Sequence, residues 1–324
     1  MASNIFTSFL LFVQLLLAVA VATDDAAIPS EIYWNSMLPN TPMPKLVQHQ
    51  LISVISGIYL NSELNHLGKM IVVPRYNAQW HFMKRGSLKG FQEVCFHNHK
   101  QLTADVDHYF LEESLYSGKE MTLEVSGDYT RATLLSRQVA DSIPFSSNKL
   151  PDILDEFSIE PGSIQAEAIE ETITACERST EDNEEEAMHC TTSLESMIDW
   201  SISKLGKNIT AVGTEVDGEN RHKNHFTISR SSGVKQMGEG NQVVCHGMTY
   251  PYAVYYCHVI HGTRSYMVPM VAADGTKAKA VAVCHIDTKE FSPDHVAFKL
   301  LNVKPGSVPV CHFLPDDTIF WFPN

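Results

Sequence analysis

The sequence predicts an α+β fold: a helical segment at about 150–205 followed by a strand-rich C-terminal Cys-His domain. Three observations carry that expectation. Apolar residues recur at helical spacing after Leu150 and again after Ser163, where Ala166, Ile169 and Ile173 fall on one face. Beyond residue 205 the apolar runs shorten and become β-branched or aromatic. Four Cys-His doublets sit on or beside those runs, Cys245-His246, Cys257-His258, Cys284-His285 and Cys311-His312, with 10, 25 and 25 residues between them. Seven cysteines and fifteen histidines among 324 residues would rarely fall into four such doublets by chance.

Taken in order, residues 1–22 read as a secretory signal peptide. Phe9 to Val21 is uncharged and interrupted only by Gln14, and Ala20-Val21-Ala22 precedes the acidic Thr23-Asp24-Asp25. The apolar run is shorter than the ~20 residues needed to span a bilayer, and no later stretch predicts a transmembrane segment. Export implies a compartment that permits disulfides and glycans. The remaining chain, with 44% apolar residues, is long enough to bury a substantial core. A net charge of −14 argues against nucleic acid as a partner, since that role calls for clustered Lys and Arg.

Residues 23–107 form an N-terminal segment whose fold the sequence leaves undefined. Pro39, Pro42 and Pro44 force an extended or turn-rich path after Ile32-Tyr33-Trp34. Cys95, His97 and His99 would share a face on a strand and could hold a soft or borderline metal. A surface strand with scattered histidines is the preferred reading, because short clusters of this kind arise easily. Tyr109-Phe110-Leu111, Met121-Thr122-Leu123 and Thr133-Leu134-Leu135 are short strand candidates punctuated by Gly118 and Gly127.

Two helices follow, one from Leu150-Pro151 through Ile153, Leu154 and Phe157, and one over Ile164 to Cys176 capped by Ser163. Cys176 and Cys190 flank the acidic stretch Glu177 to Glu186, which lacks the glycine and alternating ligands of an EF-hand. A disulfide between them, closing a solvated loop, is the expected arrangement. Asn208-Ile209-Thr210 is a glycosylation sequon, with Asn208 as the acceptor. Gly218 to Gly240, polar and rich in Gly, Ser, Lys and His, reads as a loop or hairpin leading to the Cys-His strands.

The doublets have a geometric consequence. Val243-Val244, Tyr252 to Tyr256, Ala280 to Val283 and Val308-Pro309-Val310 precede them, so each doublet is expected on a strand. Successive side chains on a strand point to opposite faces, which sends every thiol one way and every imidazole the other. If the four strands are neighbours, four cysteines can meet on one side and four histidines on the other. The spacing does not suit a zinc module, whose ligands cluster within one tight turn. Three chemistries compete for the array: disulfides with structural histidines, a histidine metal site, or a Cys-His nucleophile and base. The last is disfavoured, since adjacent strand residues point apart while a thiolate and its base must lie within about 3 Å. Cys245, Cys257, Cys284 and Cys311 allow three pairings, and their spacing does not choose among them. With these four and Cys176 and Cys190 oxidised, Cys95 is the odd thiol.

The doublet spacing resembles the signature of the plant BURP domain. The words Tyr250-Pro251-Tyr252-Ala253-Val254, Tyr266-Met267-Val268-Pro269, Ala273-Asp274-Gly275-Thr276-Lys277 and Val303-Lys304-Pro305-Gly306 agree with it. So do Asp141-Ser142-Ile143-Pro144-Phe145, Ser193-Leu194-Glu195-Ser196-Met197 and Lys204-Leu205-Gly206-Lys207-Asn208. The likeness covers residues 108–324, opening on Tyr109-Phe110 where the family usually has paired phenylalanines. Some members are copper-dependent, autocatalytic peptide cyclases that join a Trp or Tyr side chain to another residue of a short core peptide. The resemblance therefore implies copper as cofactor, with His246, His258, His285 and His312 as the metal-binding histidines. Divalent copper is also the first-row ion that such nitrogen sites hold most tightly.

The chain is short, carries no tandem repeat, and offers only Tyr76-Asn77-Ala78-Gln79-Trp80 as a core peptide. It is most similar to the unknown-seed-protein branch of the family. The expectation is a secreted protein of the seed, storage vacuole or cell wall with a histidine copper site. The alternative is a copper-dependent cyclase acting on itself or on a separate Trp- or Tyr-containing peptide. A cell-wall component is the other partner the resemblance admits.

Overall fold

A computed structural model describes residues 29–51, 109–123, 125, 132–178, 187–217, 225–289 and 291–324. The signal-peptide reading, the Cys95-His97-His99 cluster, Cys95 itself and Tyr76 to Trp80 lie outside these residues. Among the described residues no helix is long and apolar enough to cross a membrane.

The expected division between helix and strand holds. α1 (Pro29–Met37) and α2 (Lys45–Gln50) come first, followed by β1 (Tyr109–Leu111), β2 (Glu120–Thr122) and the short α3 (Arg137–Ala140). α4 (Leu150–Glu156), α5 (Ile164–Arg178) and α6 (Leu194–Leu205) form the helical segment, interrupted by β3 (Met188–Thr191). The Ser163 hydroxyl accepts from the Ala166 N–H at 3.2 Å, the cap expected for α5. The strands after it are β4 (Ile209–Gly213), β5 (Glu215–Val216), β6 (His225–Ile228), β7 (Lys235–Met248), β8 (Val254–Val271), β9 (Lys277–His285), β10 (Val310–Phe313) and β11 (Thr318–Pro323). α7 (Val296–Leu301) lies between β9 and β10.

The stretch Gly218 to Gly240 is more regular than a connecting loop. β6 occupies 225–228 and β7 already begins at Lys235. Phe226 and Ile228 are buried while His225 is exposed and Thr227 half-buried, an alternation too short to stand out against the surrounding polar sequence.

Antiparallel pairing runs in the order β1-β10-β9-β8-β7-β11-β4. β5 then returns to β9 through Glu215↔Lys279 and Val216↔Ala278, so the ladder β9-β8-β7-β11-β4/β5 closes on itself. Val244, Ile260, Val281, Val283, Leu314, Phe320 and Phe322 come from around this ring and pack as one buried cluster, its interior. Two further cores cover its outside. Helices α1, α2 and α6 lie over Val243, Cys245, Tyr255, Cys257, Ile319 and Trp321. Residues of β1, β2 and β6 lie over Ala280, Ala282, Cys284 and Cys311.

Cys176–Cys190 is bonded as expected, and the doublet cysteines take one of their three pairings, Cys245–Cys257 and Cys284–Cys311. The four thiols do not meet on one side. Each pair joins directly opposed residues of neighbouring strands, Cys245↔Cys257 across β7 and β8 and Cys284↔Cys311 across β9 and β10, in two different outer cores. Curvature is the reason: closing a sheet spreads its outward side chains apart and draws its inward ones together.

Candidate metal centre

The inward side chains of the doublets are the histidines. Because Cys245 opposes Cys257, His246 stands opposite Tyr256 and His258 opposite Val244, so the two histidines are diagonal neighbours. The same offset relates His285, opposite Val310, to His312, opposite Val283. Diagonal partners on one face lie within reach of ring side chains. His246 and His258 stack with ring centroids 5.4 Å apart, and their Nε2 atoms are 3.3 Å apart. His285 and His312 stack at 5.6 Å. The ring interior thus holds two stacked histidine pairs where the doublet period predicts a histidine-only face.

His246, His312 and His258 each have a further partner. His246 Nδ1 lies 3.3 Å from the Thr318 hydroxyl, and His312 Nδ1 lies 3.2 Å from the Phe313 carbonyl. His258 hydrogen-bonds the Val259 backbone, an interaction that favours its charged form without overcoming burial. A fifth histidine borders the site. His295 is buried, its Nδ1 accepts from the Ala297 N–H at 3.2 Å, and its ring meets Tyr109 at 5.7 Å and Phe291 at 5.9 Å. Phe291 packs edge-on against His285 at 5.3 Å, and Tyr109 against His312 at 6.4 Å. His295 belongs to no doublet, and no spacing in the sequence singles it out.

Desolvation dominates the electrostatics. It pushes the His246 and His285 imidazoles down to about 3, with the other doublet histidines adding to the shift, and His258 and His312 to about 4. All four rings are therefore neutral near pH 7, the protonation state a metal ligand needs. Unfolding would return each ring to an ordinary value of about 6.5. The unfolded chain then takes up protons first as pH falls. The stability tied to neutral rings is complete above about 6.5 and is lost on acidification towards the folded values. Denaturant unfolding of the metal-free protein is expected to show a loss of about 2 kcal/mol between about pH 7 and about pH 5 for even one histidine held neutral throughout. An unchanged midpoint over that window would mean that the rings titrate as if exposed.

Among the described residues, no three His, Cys, Asp or Glu side chains form a compact, ready-made metal cluster. The fit to a metal rests on the pairs. Nitrogens 3.3 Å apart are less than twice a metal–imidazole bond of about 2.0–2.1 Å from one another, so His246 and His258 can both reach one ion. Buried nitrogen donors without a carboxylate or thiolate suit a borderline transition ion and not calcium or magnesium. The disulfide-bonded cysteines are excluded as ligands and as nucleophiles, since neither role is open to an oxidised thiol. Asn208, the sequon acceptor, is exposed, and its side-chain oxygen accepts from Asn324 at 3.0 Å.

Comparison with known proteins adds an independent line. A family model described as the BURP domain matches residues 108–323. BURP domain protein RD22 of Arabidopsis thaliana is 45% identical over 66% of this chain and 55% of its own length. BURP domain-containing protein 3 of rice is 43% identical over 66% of the chain, so the chain spans about half the length of these two relatives. BURP domain-containing protein 2 of rice is 36% identical over 96% of this chain and 97% of its own length.

Proposed function

The chain belongs to the BURP-domain family, and from that premise we propose that it is an exported copper-binding protein whose ligands are His246, His258, His285 and His312. The observation that carries the reading is the facing of two buried, neutral imidazoles, Nε2 to Nε2 at 3.3 Å, while His246 Nδ1 meets the Thr318 hydroxyl and His258 also hydrogen-bonds the Val259 backbone. Nitrogens so placed can share one N–H···N hydrogen bond or can both ligate one cation; with each ring's proton on its other nitrogen, the two lone pairs face each other and favour the cation. Burial disfavours a second, charging proton on either ring near pH 7. Copper is the ion that best fits an all-nitrogen set under the Irving–Williams order.

The chain's own residues prepare the site before any ion binds. The two cross-strand disulfides hold the doublets in register, and the pleat turns the imidazoles inward. Phe291, Tyr109 and the apolar interior limit water around the rings, which keeps them neutral. Bound copper would supply one-electron redox chemistry to side chains at the site.

Three disulfides among the described residues support passage through an oxidising compartment, such as the cell wall or a seed storage vacuole. The chain's shortness and lack of a tandem repeat support the unknown-seed-protein type of the family, and two rice relatives match it nearly end to end. Asn208 is the glycan acceptor in this reading. A second reading, copper-dependent crosslinking of a Trp or Tyr side chain, is favoured by Tyr109, whose phenol ring packs against His312.

The test is to load purified protein with Cu(II), dialyse, and measure metal content and the electron paramagnetic resonance spectrum. Wild type is expected to retain copper with nitrogen ligation. His285→Ala and His246→Ala are each expected to weaken retention by more than about 100-fold, above the range typical of outer-shell partners. Loss of all copper from wild type on dialysis would overturn the metal reading. Mass spectrometry of the loaded protein and of added Trp- or Tyr-containing peptides then separates the two readings. A loss of two hydrogens that depends on His285 would establish crosslinking, and an unchanged mass would leave binding alone.

A further inference from the structure

We propose that Asp317 and Thr318 form a positioning relay that fixes which nitrogen of His246 carries its proton. Thr318 is fully buried and stands directly opposite His246 in the pairing of β11 with β7. Its hydroxyl donates to the Asp317 carboxylate at 3.2 Å and lies 3.3 Å from His246 Nδ1. A threonine hydroxyl has one proton and two lone pairs. With that proton directed at the carboxylate, only the lone pairs face the imidazole, so the oxygen accepts from Nδ1–H. The His246 ring is thereby held as the Nδ1–H tautomer. Its Nε2 lone pair points at His258.

The backbone reinforces the arrangement. The Gly247 N–H donates to the Asp317 carbonyl at 3.2 Å, pinning the turn that carries the carboxylate beside the residue after His246. A Cβ at position 247 would sit 3.2 Å from that carbonyl oxygen and 3.6 Å from the Asp317 Cβ, so glycine permits the close approach. Asp317 is itself buried, which strengthens the hydrogen bond its side chain accepts from Thr318. An outer carboxylate that orients a ligating imidazole and raises its basicity is a recurrent device of metal sites. Here a hydroxyl is interposed between the two.

The purpose of the relay rests on the metal reading above, whereas the tautomer it imposes does not, and the experiment separates them. In metal-free protein with 15N-labelled histidine, long-range proton–nitrogen correlation reports which ring nitrogen of His246 is protonated. Wild type is expected to show a protonated Nδ1 and a bare Nε2. Thr318→Val keeps the β-branched shape but removes the acceptor. It is expected to move the proton to Nε2 and to lower copper affinity by about 10- to 100-fold in chelator competition. Thr318→Ser restores the hydroxyl and is expected to restore both. A wild-type His246 protonated at Nε2 would overturn the proposal without any variant having to fold. So would a tautomer indifferent to Thr318→Val. A tautomer that follows the hydroxyl in a protein that holds no copper would uphold the relay and refute the copper reading alone.

Discussion

Replacing Trp34 with alanine is expected to destabilise the protein by about 3–5 kcal/mol, the range for deleting a large aromatic side chain from a core. Trp34 lies on α1, outside the residues matched by the family model, yet it is almost fully buried. Its ring packs 5.7 Å from that of Trp321 on β11. The indole N–H donates to the Thr41 carbonyl at 2.9 Å, and the Thr41 hydroxyl donates to the Ile209 carbonyl at 2.8 Å, tying the N-terminal segment to β4. Leu38, Leu46 and Val47 share the same core with Met197, Ile198 and Ala211. At the edge of this contact, Tyr33 hydrogen-bonds Asp199, which also pairs with Arg137 at 2.6 Å. Because so many buried neighbours meet the indole, the cavity has little room to collapse. Denaturant unfolding should show the lower midpoint in one cooperative transition. A loss below about 1 kcal/mol, the ordinary effect of a point substitution, would mean that residues 29–51 are not part of the cooperative core.

Removing the Cys284–Cys311 bond, as Cys284→Ala with Cys311→Ala, is expected to cost about 3.5 kcal/mol by the chain-entropy relation for its 27-residue separation. The same relation gives about 2.8 kcal/mol for Cys245–Cys257, with its separation of 12. The larger difference lies at the metal centre. Cys245–Cys257 staples β7 to β8, whose pairing extends from Met248↔Val254 to Lys235↔Met267 and holds register without the bond. β10 is only four residues long, held by β9 on one side and the three-residue β1 on the other. Its disulfide is the main constraint on His312 relative to His285. Thermal unfolding should rank the two double variants by the size of their loops. Copper retention should fall further in the Cys284/Cys311 variant, and equal retention in both would show that β10 keeps its register unaided.

How far the sequence reaches can be judged at individual residues. The Ser163 cap, the helical spacing of Ala166, Ile169 and Ile173, and the loop closed by Cys176 and Cys190 are local features, and the fold reproduces each of them. The doublet rule is local as well, since the period of two along a strand separates Cys from His whatever the strand's neighbours are. It puts each imidazole on the face opposite its thiol, and the neighbouring of the strands brings them together.

What the sequence alone determined was thus the α+β division and the separation of thiols from imidazoles. The tertiary structure decided which strands are neighbours, and with that the choice of Cys245–Cys257 and Cys284–Cys311 from three possible pairings. It also closed the ring through β5 and β9, which drew the histidines inward and sent the two disulfides into separate cores. His295, the adjacent Asp317 and Thr318, and Trp34 reach their positions only through tertiary pairing and packing, brought in from three different parts of the chain. The physical reason is range: side-chain alternation and helix periodicity are set by a residue's nearest neighbours along the chain, whereas strand order and sheet closure are set by burial summed over the whole molecule.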